Sequence, residues 1–348
     1  MGDDGWKSMP KAISTETIRA LSASLATLSR DQGTAFTTVL HGGEPLLLGA
    51  RRLEHLLASL RDSLGYKHTI CMQSNGMLIS DEILRICSDF KTSISISLDG
   101  PKEINDRFRV GHRGESTFEK VLAGISKLRN HPSSEYLFSG LLTVVDPSSD
   151  PRKVYEYLKS LGAPSLDFLY RDGNHSSLPF GKSAFESTEY GDWLCGLLDT
   201  YLADMTPVRV RLLDDFMRLS LGGSGLKEGI GITDYGIAIV DTDGSVSKND
   251  TLKSSFSGAD RFQEKWSIFS HRLSDIFSSP EFAEYHRLQR PSSPVCQSCS
   301  DLGVCGGGMP LHRWSKDGSY NNPSVYCSDQ KRIIRHVRMR LVREGLAA

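Results

Sequence analysis

The sequence predicts an α/β fold in which helices wind a parallel sheet. Between residues 14 and 170, stretches with helical periodicity alternate five times with short apolar stretches. The apolar stretches are mostly continuous rather than alternating, which is typical of parallel strands that are covered on one or both faces. Alternation of this kind indicates right-handed crossovers and a sheet that is either open or curled into a barrel.

Local signals support each element in turn. Ser14 suits the cap of the first helix, and Gly33 suits the position just past its end. Ser80 suits the cap of the third helix, which has two acidic residues in its first turn. The other predicted helices are 50–63, 116–130 and 151–161, and the predicted strands are 35–41, 67–73, 93–98, 137–144 and 165–170.

The rest of the chain has fewer signals. We predict an amphipathic helix from Tyr190 to Tyr201, another over Val210–Leu221, a hairpin over Gly236–Ser247 and a basic final helix over 328–343. Gly222–Gly225 is a flexible joint, which is about as typical of a loop as of a domain boundary.

Composition excludes several classes of protein. With 348 residues, of which 39% are hydrophobic, the chain can form a large α/β domain and a smaller one. A formal charge of -1 provides no electrostatic basis for binding nucleic acid or an anionic membrane. No stretch approaches the roughly 18 apolar residues of a spanning helix, and the N-terminus has no apolar signal core. We therefore expect a cytoplasmic protein whose cysteines are free or bound to metal.

Polar or glycine-rich residues follow the first three predicted strands. They are Gly42, Gly43 and Glu44; then Ser74 and Asn75; then Ser97, Asp99, Arg107 and Arg109. Glycines let the backbone approach a ligand, Glu44 suits an ammonium group, Ser97 and Asp99 suit a ribose or an amino acid moiety, and the arginines suit a carboxylate. Each motif alone is typical of a turn. Because parallel strands end at one rim, the three together indicate a binding site.

Four cysteines near the C-terminus have the spacing of metal ligands. Cys296 and Cys299 form a C-x2-C step, and Cys305 and Cys327 follow. The glycines at 306–308 let the backbone crowd a centre. Both zinc and iron–sulfur suit such thiolates. The upstream cysteines, Cys71, Cys87 and Cys195, lie on separate elements and are interpreted as buried apolar residues.

Taken together, these motifs resemble the radical S-adenosylmethionine (SAM) enzymes that carry a SPASM domain. The resemblance rests on Gly42-Gly43-Glu44-Pro45, Gln73-Ser74-Asn75-Gly76, Ser97-Leu98-Asp99-Gly100-Pro101 and the cysteine module. More narrowly, 241–245, 305–308 with His312 and Arg313, and 322–327 resemble FxsB-type peptide maturases, which form cyclophane cross-links.

The resemblance implies a partial (β/α)6 TIM-like barrel over 1–220, with its first strand missing, and a SPASM domain over 221–348. The Gly42-Gly43-Glu44 loop would bind the amino group of SAM. Further cofactor contacts would come from Ser74, Asn75, Ser97, Asp99 and Arg109. Cys296, Cys299, Cys305 and Cys327 would bind one auxiliary [4Fe-4S] cluster. A second cluster is not expected, because residues 232–250 contain no cysteine.

The chain departs from the family upstream of Gly42. Family members bind a catalytic [4Fe-4S] cluster through a C-x3-C-x2-C loop, and no such motif is present. The chain as given is therefore expected not to cleave SAM. Either Met1 is an internal methionine of a longer enzyme, or the protein is a relative that has kept binding alone. In both cases the first strand of the sheet would have an unpaired edge.

The predicted function is that of a maturase acting on a ribosomally made precursor peptide, with a leader-peptide-binding protein as a further candidate partner. If active, it would remove hydrogen from a β-carbon and join that carbon to an aromatic ring. Candidate contacts are Asp99, Arg107, Arg109 and His312. Two alternatives stay open: a non-catalytic protein that binds SAM or peptide, and a barrel with a structural zinc site.

Overall fold

A computed structural model describes residue 7, residues 9–232 and residues 236–346. Within these residues, six parallel strands form one sheet whose order follows the chain. The strands are β1 (Thr37–Leu40), β2 (Thr69–Ser74), β3 (Thr92–Ser97), β4 (Phe138–Val144), β5 (Ser165–Leu169) and β6 (Arg209–Val210). The α/β fold with parallel strands is confirmed.

Helices connect successive strands. They are α1 (Thr15–Gln32), α2 (Ala50–Leu64), α3 (Asp81–Asp89), α4 (Lys102–Asn105), α5 (Phe118–Asn130), α6 (Ser134–Leu137), α7 (Pro151–Ser160), α8 (Glu189–Ala203) and α9 (Arg211–Ser220). The predicted caps are confirmed: the side chains of Ser14 and Ser80 accept hydrogen bonds from the backbone of Thr17 and Ile83, and Gly33 has a φ of 68°.

Helices cover one face of the sheet, and the other face is polar. In β2 and β3 the buried row includes Ile70, Met72, Ile94 and Ile96, which are at most 1% exposed. The opposite, half-buried row consists of Cys71, Gln73, Ser93, Ser95 and Ser97. Because strand side chains alternate, a buried apolar row on one face leaves these polar side chains on the other. Ligands can therefore approach from that face.

The sequence prediction of five strands was incomplete. The sixth strand, β6, has only two residues and directly precedes α9. The predicted helix 210–221 therefore includes the second residue of this strand. At the other end of the sheet, β1 pairs with β2 and with no other strand among the described residues. Val39 in β1 is 51% exposed.

The C-terminal part consists of a hairpin and short helices. Strands β7 (Ile239–Val240) and β8 (Val246–Ser247) are antiparallel, as predicted. The helices are α10 (Leu273–Phe277), α11 (Pro280–Arg287), α12 (Pro294–Gln297), α13 (Leu302–Cys305) and α14 (Cys327–Arg343). Helix α14 packs on α8 and α9, and α10 packs on α1, so this part contacts the sheet region at two places. No helix in the described ranges is both long and apolar enough to cross a membrane.

Candidate functional site

The carboxylate of Glu44 ties together the loops that follow β1 and β2. Its Oε1 accepts hydrogen bonds from the backbone N–H of Leu46 at 3.0 Å and from the hydroxyl of Ser74 at 2.8 Å. Its Oε2 accepts from the backbone N–H of Asn75 at 2.8 Å. Three donors thus occupy a carboxylate that offers about four acceptor positions. The exposed backbone of Gly42 and Gly43 is the part of this loop that faces solvent.

Replacing Glu44 with glutamine should separate these two loops. We expect SAM to bind at least about tenfold more weakly, since a neutral amide accepts weaker hydrogen bonds and its NH2 group would face the N–H donor of either Leu46 or Asn75. Isothermal titration calorimetry with SAM measures the change. Glu54→Gln is the control, because that carboxylate lies on α2 in an exposed ion pair with Arg85. Equal SAM affinity of the two variants would contradict the expected role of the loop.

A second set of polar contacts connects the loops after β2, β3 and β4. The side-chain amide of Gln73 donates to the hydroxyl of Ser97 at 2.9 Å. Asp99 is 4% exposed; it binds Arg109 at 2.9 Å and accepts from the backbone N–H of Val144 at 2.9 Å. The three polar loops therefore lie at one rim, as predicted. That they bind the cofactor stays a prediction.

Arg107 and Arg109, which the sequence predicts as contacts of a ligand carboxylate, are both paired within the protein. Arg109 binds Asp99, and Arg107 donates to Asp146 at 2.8 Å and to the hydroxyl of Ser148. Both carboxylates are buried. The pairs therefore hold the loop after β3 in place, which the sequence did not indicate for Asp146.

A large cavity begins at the Glu44 loop and runs along the unpaired edge of β1. Its volume is about 3020 Å³, and Gly43, Val39, Asp241 and Trp266 are among the residues that line it. Pockets for single small molecules usually measure about 300–1,000 Å³, so this cavity can hold far more than one nucleotide. The sequence did not predict the cavity, since its walls come from segments about 200 residues apart.

The structure brings the four predicted cysteines into one small region. Cys296 lies in α12, Cys299 just after it, Cys305 at the end of α13 and Cys327 at the start of α14. The glycines at 306–308 all have positive φ, between 67° and 81°. A Cβ on residue 306 would lie 2.1 Å from the carbonyl oxygen of residue 231. Only glycine fits the turn that follows Cys305.

A buried positive charge lies beside the predicted thiol ligands. Burial, with contributions from the nearby Cys327, Cys296 and Cys299, raises the pKa of the Cys305 thiol to about 12, so this thiol ionises near neutral pH only with a cation beside it. Arg313 is 1% exposed, its Nε has no hydrogen-bond partner in the described structure, and its positive charge acts on Cys296 and Cys305. A buried cation with an unpaired N–H fits thiolates bound to a metal centre.

No three metal-ligating side chains in the described ranges are close enough to share a single ion. Zinc and an iron–sulfur cluster therefore both stay predictions for these four thiols. His312, a predicted ligand contact, is 2% exposed and packs against the rings of Tyr326 and Tyr170.

Residues 9–160, which contain the Glu44 loop and the polar ends of β2 and β3, match the model of the radical SAM superfamily. The chain carries a radical SAM domain. The cysteine-type anaerobic sulfatase-maturating enzyme of Clostridium perfringens is 26% identical to this chain. The alignment covers 86% of this chain and 81% of the relative. The serine-type anaerobic sulfatase-maturating enzyme of Bacteroides thetaiotaomicron is 23% identical over 79% of this chain and 69% of its own.

Solved structures share the fold of this chain. The structure of native anSMEcpe with bound AdoMet has a TM-score of 0.79 at 23% identity, covering 96% of this chain and 89% of that one. The complex of anSMEcpe with AdoMet and the Cp18Cys peptide has a TM-score of 0.81, covering 96% and 91%. The partial-barrel fold is confirmed by these matches. The SPASM assignment, the domain boundary at 220 and the narrower cyclophane resemblance stay predictions.

Proposed function

We propose that this chain binds SAM and an extended polypeptide as a radical SAM maturase that acts on a cysteine or serine side chain. The observation that carries the proposal is the Glu44-anchored loop, which opens on a cavity far larger than SAM requires. The sulfatase-maturating relatives of both types support the choice of side chain. The peptide-bound structure with the same fold supports a peptide substrate.

In this proposal the residues of the rim bind and orient. The exposed backbone at Gly42 and Gly43 receives the amino group of SAM, and Ser97, held by Gln73, faces the cofactor. Where a catalytic [4Fe-4S] cluster supplies one electron, bound SAM would give a 5′-deoxyadenosyl radical. The reacting side chain of the substrate would face the half-buried polar row of β2 and β3.

The residues present do not fit the catalytic [4Fe-4S] cluster. Cys71, Cys87 and Cys195 lie in three separate elements, β2, α3 and α8, and do not form a shared metal site among the described residues. We therefore propose that the chain by itself binds SAM without cleaving it. Incubation with dithionite and SAM should yield no 5′-deoxyadenosine by liquid chromatography, while calorimetry detects SAM binding. Release of 5′-deoxyadenosine would overturn this proposal, and absence of SAM binding would overturn the proposed function.

The C-terminal thiols are proposed to hold one auxiliary [4Fe-4S] cluster. Anaerobic reconstitution should give about four iron and four sulfide per chain. Cys299→Ser should lose most of this iron, whereas the matched control Cys71→Ser, on β2, should keep it. Zinc in place of iron after reconstitution would instead support the structural zinc alternative.

A second candidate function is the carbon–carbon cross-linking predicted from the narrower resemblance. Its motifs contact one another: the side chain of Asn322 donates to the carbonyl of Arg313 at 2.9 Å, and the backbone N–H of Val325 donates to that of His312 at 2.9 Å. Binding of matched peptides distinguishes the two functions. Tighter binding of a peptide with cysteine than of one with alanine at the same position supports action on a cysteine or serine side chain. Tighter binding of a peptide with an aromatic residue at that position supports carbon–carbon cross-linking.

A further inference from the structure

We infer that Arg171 and the ring pair Phe108–Phe180 form a binding site for a carboxylate of the polypeptide substrate. This inference rests on the proposed function and names a chemical feature of its substrate. Arg171 follows β5 by two residues, and Phe108 lies in the loop after β3. Both therefore lie at the rim that carries the Glu44 loop.

The ring pair is exposed although its backbone is held firmly. Phe108 lies between Arg107 and Arg109, and each of these arginines binds a buried carboxylate. Phe180 accepts a hydrogen bond on its carbonyl from the hydroxyl of Tyr190 at 2.7 Å.

Despite these anchors, the side chains of Phe108 and Phe180 are 39% and 52% exposed. The rings meet edge to face, with centroids 5.1 Å apart. Exposed aromatic side chains on a fixed backbone are typical of surfaces that bind another molecule.

Arg171 supplies a positive charge that the rim does not neutralise. Its guanidinium carbon lies 3.8 Å from the centre of the Phe108 ring. Its Nε is buried without a hydrogen-bond partner, and no carboxylate pairs with it among the described residues. The adjacent Asp172 accepts a hydrogen bond from the hydroxyl of Ser254 at 2.8 Å. The guanidinium lies near the hydroxyl of Tyr190, which is neutral at pH 7 because burial raises its pKa to about 12.

The ion pairs of this part of the rim can be compared directly. Arg107 and Arg109 bind the buried carboxylates of Asp146 and Asp99, whereas Arg171 and the exposed carboxylate of Asp172 form no ion pair with each other or with another described side chain. A guanidinium has five N–H donors, and those of Arg171 that do not face the Tyr190 hydroxyl can bind a carboxylate. Arg171 is thus the arginine of this rim that suits an incoming anion.

Position favours a carboxylate of the substrate over that of SAM. The amino and carboxyl groups of SAM share one carbon atom, so both lie near the Gly42 loop on β1. Arg171 is at the end of β5, four strands away, which is about 19 Å along the sheet at about 4.8 Å per strand. An extended polypeptide spans that distance in about six residues.

Peptide binding to the reconstituted full chain with SAM present tests the inference. The probes are 12-residue cysteine peptides that carry glutamate or glutamine at one position, placed four to eight residues from the cysteine. Fluorescence anisotropy should show about tenfold tighter binding of one glutamate peptide. Arg171→Gln should abolish that preference, and Arg171→Lys should keep part of it, because lysine retains the charge without the planar fork. Arg52→Gln, an exposed arginine on α2, is the control.

The outcomes separate this inference from the proposed function. Equal binding of all glutamate and glutamine peptides overturns the inference and leaves the proposed function standing, since the cysteine peptides still bind. A tenfold loss of SAM affinity in Arg171→Gln, with the glutamate preference intact, also overturns it and assigns Arg171 to the cofactor. Failure of every peptide to bind overturns both.

Discussion

Replacing Asp329 with alanine is expected to lower the free energy of unfolding by about 3–5 kcal/mol. Asp329 lies in α14, and its carboxylate binds the ammonium group of Lys182 at 2.6 Å. Both side chains are 0% exposed. The other carboxylate oxygen accepts from the backbone N–H of Gly191 in α8 at 2.8 Å. Without Asp329 the lysine would be a buried charge facing an unpaired backbone N–H, and α14 would lose a buried polar contact with α8.

Urea unfolding followed by circular dichroism measures this loss, and two variants control it. Asp192→Ala breaks the exposed pair with Arg332, which also joins α8 to α14, and should cost less than about 1 kcal/mol. The double variant Asp329→Leu with Lys182→Met should recover much of the stability, since replacing a buried pair with apolar residues is often neutral. A loss in Asp329→Ala no larger than in Asp192→Ala would mean that the buried pair does not hold α14.

Much of the fold was predictable because its signals are local. Ser14, Ser80 and Gly33 act within one turn of their own helices, so neighbouring residues are enough to place them. The strand β6 was missed for the same reason: two residues before a helix carry too little periodicity. Its pairing with β5 depends on residues that lie more than 40 positions upstream.

The location of the candidate site was predictable from the sequence. The pairing of its charged side chains was not. Strand ends meet at one rim by topology alone, which placed Glu44, Ser74 and Ser97 together before any contact was known. Which arginine is free depends on contacts between distant segments. Arg107 and Arg171 look alike in the sequence, but Asp146 neutralises Arg107 and leaves Arg171 unpaired. The spacing of the cysteines likewise predicted a centre without choosing the metal, which depends on distances between sulfur atoms.

The buried side chain of His312 is expected to lower the free energy of unfolding as the pH falls. Burial, with a further contribution from the adjacent Arg313, lowers the pKa of His312 from 6.5 to about 3. Below pH 6.5 the unfolded chain therefore binds a proton that the folded protein excludes. Stability is unaffected above pH 6.5 and is lost as the pH falls from 6.5 towards 3. Between pH 7.5 and pH 5 the loss amounts to about 2 kcal/mol, since one pKa unit corresponds to about 1.4 kcal/mol.

Urea unfolding at pH 7.5 and pH 5 isolates this effect when the wild-type protein is compared with His312→Gln. The glutamine does not titrate, so the variant should lose about 2 kcal/mol less than the wild type over this range, whatever its stability at pH 7.5. His112→Gln replaces an exposed histidine and should follow the wild-type profile. If the His312→Gln and wild-type proteins lose equal stability, then a proton reaches His312 in the folded state. Such access would require the packing of His312 against Tyr326 to open without unfolding.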